Sequence, residues 1–209
     1  ILGTMNSYII LSASFGNTVY VGTGQTYTSL TKAGGLFYAI NTGALSGNLN
    51  VIITSNLTED GTYQLQNWSE QSSAPASYKI TIRPDSAVVR NIYGWVSNTN
   101  GMIRLYGVNN VTIDGSFNGS GKYLRFANFK VGSGYPTIQL YGGCTYDTVK
   151  NCILEGNNSS TTSGILLIGA AYTTNPIQPN NYLVISGNLV SSRTDSLVAT
   201  ANYNGIINY

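Results

Sequence analysis

Apolar and polar residues alternate in short runs along this chain, and most runs end at Gly, Asn, Ser or Pro. Alternation over four to eight residues marks a half-buried β-strand. One phrase returns: Val-Thr-Ile-Asp-Gly at 111–115, Thr-Val-Lys-Asn-Cys at 148–152 and Val-Ile-Ser-Gly-Asn at 184–188. Aligned on the inward apolar residue, Ile113, Val149 and Ile185 are each 36 residues apart. A fixed period between about 20 and 50 residues is the signature of a solenoid. A second series, Leu105, Leu140 and Leu167, has spacings of 35 and 27, so loops vary while strands recur.

The pattern predicts strands at 51–54, 79–83, 103–106, 111–113, 138–141, 148–154, 165–168, 183–185 and 205–209. It predicts a strand followed by a turn over Tyr20–Gly24 and a further strand within residues 1–14. That N-terminal stretch also faintly resembles the end of a secretory signal, a short apolar run followed by small residues. One helix is expected over 30–41, with Leu36, Phe37 and Ile40 on one face and Gly43 just past its end. Such a helix would cover the open end of a solenoid core. The fold class read from these features is all-β, a right-handed parallel β-helix with a short N-terminal capping helix. The expected organisation is one domain over residues 1–209, with strands and cap in 1–50 and stacked coils in 51–209. Roughly five to seven coils are expected, about 4.8 Å apart. An antiparallel sandwich also gives many short strands, but the paired 36-residue spacings favour the solenoid.

Composition sharpens this picture. Only 9% of the 209 residues are charged, against roughly 25% in an average soluble domain. Polarity comes from Asn, Ser, Thr and 24 Gly, and 16 Tyr dominate the aromatics. Tyr, Thr, Val and Ile suit pleated surfaces, while Gly and Asn suit bends. The ten basic residues are scattered, whereas phosphate backbones are bound by clustered Lys and Arg, so no nucleic-acid partner is expected. No apolar run approaches the ~20 residues of a membrane-spanning helix.

The chain has no histidine, which removes the commonest general base at neutral pH and a Ser–His–Asp device with it. No catalytic residues, metal site or cofactor are assigned. The chain has only eight acids. Glu59 and Asp60 are neighbours, the usual pattern of a solvated turn. Asp114 and Glu155 each precede a Gly after a strand and could lie on nearby coils. Stacked like charges would raise a pKa or bind a cation; alternatively, each accepts hydrogen bonds within its turn. Arg104, Arg125 and Lys150 form no recognisable catalytic motif. Cys144 and Cys152, eight residues apart, could form a local disulfide or remain reduced, with Cys152 packed inward. Tyr93, Trp95, Tyr106, Tyr123, Tyr135, Tyr141 and Tyr146 could form an outward stacking surface for sugars or a neighbouring subunit, or fill the core.

Several stretches carry a family resemblance. They are Thr18-Val-Tyr-Val-Gly-Thr-Gly, the run from Phe37 to Asn48, Leu57-Thr-Glu-Asp-Gly61, the run from Asn110 to Ser116, and the run from Asp147 to Gly156. Together they resemble the parallel β-helix regions of large surface proteins exported by Bacteroidota through the type IX secretion route. The resemblance implies an extracellular or cell-surface location and a piece of a longer protein; it implies no activity. It also brings in a modification motif, Asp followed by Ser or Thr and then an aliphatic or small residue, at which such organisms attach O-glycans. Asp85-Ser86-Ala87, Asp147-Thr148-Val149 and Asp195-Ser196-Leu197 match it, making Ser86, Thr148 and Ser196 the candidate acceptors. The expected function is a structural or adhesive β-helix that associates with itself or with other segments of the same protein, with glycans as further candidate partners and a fibre as a candidate assembly. The alternative is a domain that binds or degrades polysaccharide.

Overall fold

The computed structural model describes residues 14–71, 78–132, 134–158, 164–169, 179–192 and 205–208. The predicted strand within 1–14 lies almost wholly outside them. A first strand, β1 (Ser14–Val21), leads to the helix α1 (Leu36–Thr42). The first coil holds β2 (Ala44–Ile53), β3 (Leu57–Thr58) and β4 (Leu65–Gln66), followed by the short β5 (Ser69–Glu70). The second holds β6 (Ile80–Pro84), β7 (Arg90–Gly94) and β8 (Ile103–Tyr106). The third holds β9 (Val111–Asp114), β10 (Leu124–Gly132) and β11 (Ile138–Tyr141). The fourth holds β12 (Thr148–Lys150), β13 (Ile153–Asn158) and β14 (Leu166–Ile168), and the fifth β15 (Val184–Ser186), β16 (Leu189–Ser192) and β17 (Ile206–Asn208).

Every coil gives one strand to each of three walls, and all named strand pairs are parallel. Wall 1 stacks β1, β2, β6, β9, β12 and β15, with β5 beside β2; wall 2 stacks β3, β7, β10, β13 and β16; wall 3 stacks β4, β8, β11, β14 and β17. The chain is a parallel β-solenoid of five coils. The 36-residue phrase is its register: Ile113, Val149 and Ile185 pair directly across wall 1. Val51 and Ile82 extend the same inward row upstream. Wall 2 aligns Leu57, Ile92, Phe126, Leu154 and Val190. These rows make an almost wholly aliphatic core, in which each buried Val, Leu or Ile contributes about 1.5–3 kcal/mol.

Three expectations are corrected. In wall 3 the row runs Leu65, Leu105, Leu140 and Ile168, because Leu167 pairs with Gln139. The 148–154 run is two strands, because Asn151 turns the corner at φ +54°. The helix starts at Leu36 rather than residue 30, because Gly34 stands at φ +74° and Gly35 is its N-cap. Its buried face is the expected one, Leu36, Phe37 and Ile40.

The Asn content is explained at the corners. Asn188 accepts from the Cys152 N–H at 2.9 Å and donates to the Val149 carbonyl at 2.8 Å. Asn180 likewise accepts from the Cys144 N–H and donates to the Leu140 carbonyl. Each amide side chain pairs backbone groups of the preceding coil that the ladder leaves free at the bend, as buried backbone requires.

Candidate functional site

The acids come first, because a hydrolase of the paired-carboxylate type needs two of them converging on one cleft. Asp114 ends β9 in wall 1, and Glu155 lies in β13 in wall 2. Register places Lys150 directly opposite Asp114, and the two pair at 3.1 Å. Burial works against the Asp114 carboxylate. Hydrogen bonds from the Ser116 N–H and hydroxyl, the Asn151 amide and Lys150 nevertheless hold its pKa below the ordinary range. Glu155 takes a two-pronged contact from Arg125, at 3.0 and 2.5 Å. Each acid therefore has its own cation on a separate wall. Asp85 is held the same way by Arg90, at 2.8 Å on both oxygens.

Glu59 is the acid the sequence reading misplaced. Instead of lying in a solvated turn it is buried, accepting from the Ser29 hydroxyl, the Leu30 N–H, the Thr31 N–H and the Thr31 hydroxyl at 2.6–2.8 Å. It ties β3 to the loop that leads into the capping helix. Asp147 is also fully buried. One of its oxygens accepts from the Val111 N–H at 2.7 Å, and the other has no partner. Burial pushes its pKa up to about 7.

The cysteines are both buried free thiols, not a disulfide. They flank β12, and each is spent on packing and weak bonds: Cys144 Sγ donates to the Leu105 carbonyl and Cys152 Sγ to that of Lys150. Burial pushes their pKa values up to about 11 and about 12, which keeps both thiols unreactive. Of the O-glycan candidates, Thr148 lies half-buried on the outer face of β12, with Val149 inward. Ser86 sits on a surface loop, bonded to Asp85 and Arg90. Ser196 falls outside the described residues.

Of the seven aromatics expected on an outer surface, Tyr123 and Tyr135 are half-buried, and the other five lie in three outward groups. On wall 2, Phe129 stacks on Tyr93 at 5.4 Å and meets Trp95 edge-on at 4.8 Å; Trp95 is 67% exposed. At the corner between walls 3 and 1, Tyr146 and Tyr182 stack at 4.7 Å and 3°, and Tyr182 is 71% exposed. Both stand at positive φ, +58° and +53°, one and two periods beyond Asn110 at +64°. A non-Gly residue there costs on the order of 1–3 kcal/mol, strain that concentrates at functional positions. The 36-residue spacing of Asn110, Tyr146 and Tyr182 was visible in the sequence, and Tyr182 was missed only because its phrase was read from Val184. On wall 3, the Arg104 guanidinium lies over Tyr106 at 5.1 Å and Tyr141 at 4.7 Å. Desolvation lowers the Arg104 pKa, and the two tyrosines oppose this.

Among the described residues no three His, Cys, Asp or Glu side chains gather as metal ligands, and no helix is long and apolar enough to cross a membrane. No protein-family model, curated protein or solved structure matches the chain.

Proposed function

We propose that this chain is an adhesive segment of a secreted or cell-surface protein, a rigid β-solenoid that presents aromatic side chains on its outer walls. The observation that carries the reading is the strained, exposed Tyr146–Tyr182 stack. Nothing in the coil geometry demands Tyr at a left-handed corner, where Asn110 serves one coil earlier. Exposed rings offer large contact area at low conformational cost. The Bacteroidota-like stretches and the low charge favour a place outside the cell and export by the type IX route. The separation of Asp114 from Glu155, each with its own cation, weighs against the polysaccharide-degrading alternative.

The test is adhesion. Surfaces coated with the chain should retain extracellular polysaccharide or cells. A variant carrying Trp95→Ala, Tyr146→Ala and Tyr182→Ala should keep the fold by circular dichroism and lose retention about tenfold or more, since each aromatic contact is worth about 1 kcal/mol. Undiminished retention by that variant would sink the adhesive reading.

A fibre subunit is a second reading. Ile185 and Val190 on the fifth coil are only partly covered, while their neighbours Val149 and Leu154 on the fourth are fully buried, so the stack accepts a further coil from the same protein or from a second copy.

A further inference from the structure

The outer face of wall 3 holds a polar arrangement that packing does not explain. Residues two apart on a strand share a face, so β8 turns Arg104 and Tyr106 outward, and β11 turns Gln139 and Tyr141 outward beside them. Register pairs Arg104 with Gln139 and Tyr106 with Tyr141. The four side chains thus form one square patch across two coils. The ring of Tyr106 lies over Gly142, where an added Cβ would stand 2.8 Å from it. Gly142 is also at φ +77°, so the floor of the patch requires glycine.

Two atoms in this patch are unspent. Arg104 Nε is buried with no hydrogen-bond partner. Gln139 is 4% exposed; its amide N–H donates to the Gly169 carbonyl, but its Oε1 is buried without a partner. Other half-buried guanidiniums on this chain are matched, Arg90 by Asp85 and Arg125 by Glu155. Among the described residues Arg104 meets no carboxylate. Leaving a partly desolvated guanidinium without an acceptor is costly, and an external anion reaching the half-buried Arg104 beside the exposed Tyr106 would supply one.

We infer that this patch binds an acidic sugar, with the apolar face of the saccharide ring against Tyr106 and its carboxylate or sulfate on the Arg104 guanidinium. Tyr106 is 39% exposed, so a ring can reach it. A planar guanidinium already backed by two rings is pre-organised for fork-like contact with an oxyanion. One such cation fits a single anionic substituent, whereas a nucleic-acid strand requires a run of them. The inference deepens the adhesive reading by giving one outer wall a ligand class.

The test is isothermal titration calorimetry with three probes: a uronic acid tetrasaccharide, its carboxyl-reduced neutral counterpart, and a sulfated neutral tetrasaccharide. At least one anionic probe should bind, with the neutral counterpart about tenfold weaker or more. Arg104→Ala should weaken the anionic probe about 10- to 100-fold. Arg104→Lys should weaken it less but measurably, because the fork is lost while the charge stays. Lys79→Ala, which removes an exposed cation from another wall, should change nothing. Equal affinity for charged and neutral probes, no binding of either anionic probe, or an unchanged Arg104→Lys variant that melts like the parent would each overturn the inference. Adhesion lost in the Trp95, Tyr146 and Tyr182 variant alongside indifference to Arg104 would leave the adhesive reading standing and this one refuted.

Discussion

Asp147 concentrates the physics of this fold in one side chain. The sequence presents it as the first residue of a modification motif, beside an alternating run. The structure buries it completely, with Oδ1 closing the backbone of β9 at Val111 one coil away. Burial raises its pKa from 3.8 to about 7, so the folded chain holds a proton that the unfolded chain releases at much lower pH. Stability from the neutral carboxyl is therefore full below about pH 4 and is lost as pH rises through about 7. The shift corresponds to a loss of roughly 4 kcal/mol at most. Urea unfolding at pH 5 and pH 8 should show the parent markedly weaker at pH 8. Asp147→Asn, which keeps the acceptor for Val111 and cannot ionise, should flatten that dependence and exceed the parent at pH 8. A parent equally stable at both values would contradict the buried, neutral assignment. Alternation told which way Val149 and Thr148 point. The same rule puts Asp147, two residues before Val149, on the inward side, but a carboxylate ahead of Thr148 reads instead as the start of a turn.

At the scale of elements, walls 1 and 3 were legible and wall 2 was not. The rows through Ile113 and Leu105 sit in strands of clean alternation, whereas wall 2 disguises its own. In β10 the inward Leu124 and Phe126 are interleaved with Arg125, and a register shift between Ala127 and Val131 breaks the period before Phe129 and Lys130. Strands β3 and β4 are two residues each, too short for any periodic signal. The same shortness explains why Glu59 was misread. Directly after β3, it does by side chain what a longer strand would do by backbone, and it holds the 29–31 loop that leads into α1. Glu59→Ala would leave the Leu30 and Thr31 N–H groups and two hydroxyls without their acceptor. The expected cost is about 3 kcal/mol or more. Amide exchange should locate it: Leu30 and Thr31 should lose protection first, while wall 1 amides such as Val149 stay slow. Uniform loss across the solenoid would mean that the cap is not a separable unit.

The whole molecule is a stack in which each coil touches only its neighbours, so its stability and its association follow from one geometry. Along wall 1 the inward row is fully buried from Val51 through Ile82 and Ile113 to Val149, and opens at Val19 and Ile185 on either side. Wall 2 repeats this, with Leu154 closed and Val190 partly open. Among the described residues β15, β16 and β17 each pair on one side alone. An edge of unpaired strands over partly open apolar residues is a template for another coil, either the next one of the same protein or one of a second copy. The fibre reading therefore predicts that the 209-residue chain self-associates, with sedimentation velocity showing species that grow with concentration. Ile185→Lys tests the site. At an open end a lysine can carry its ammonium out to water, so the first four coils should remain folded, while an inward charge at the edge prevents a further coil from stacking. The variant should sediment as a monomer at concentrations where the parent does not. If the parent is monomeric throughout, the fibre reading falls and the outer walls alone carry the function; if parent and variant associate equally, assembly runs through the walls rather than the end of the stack.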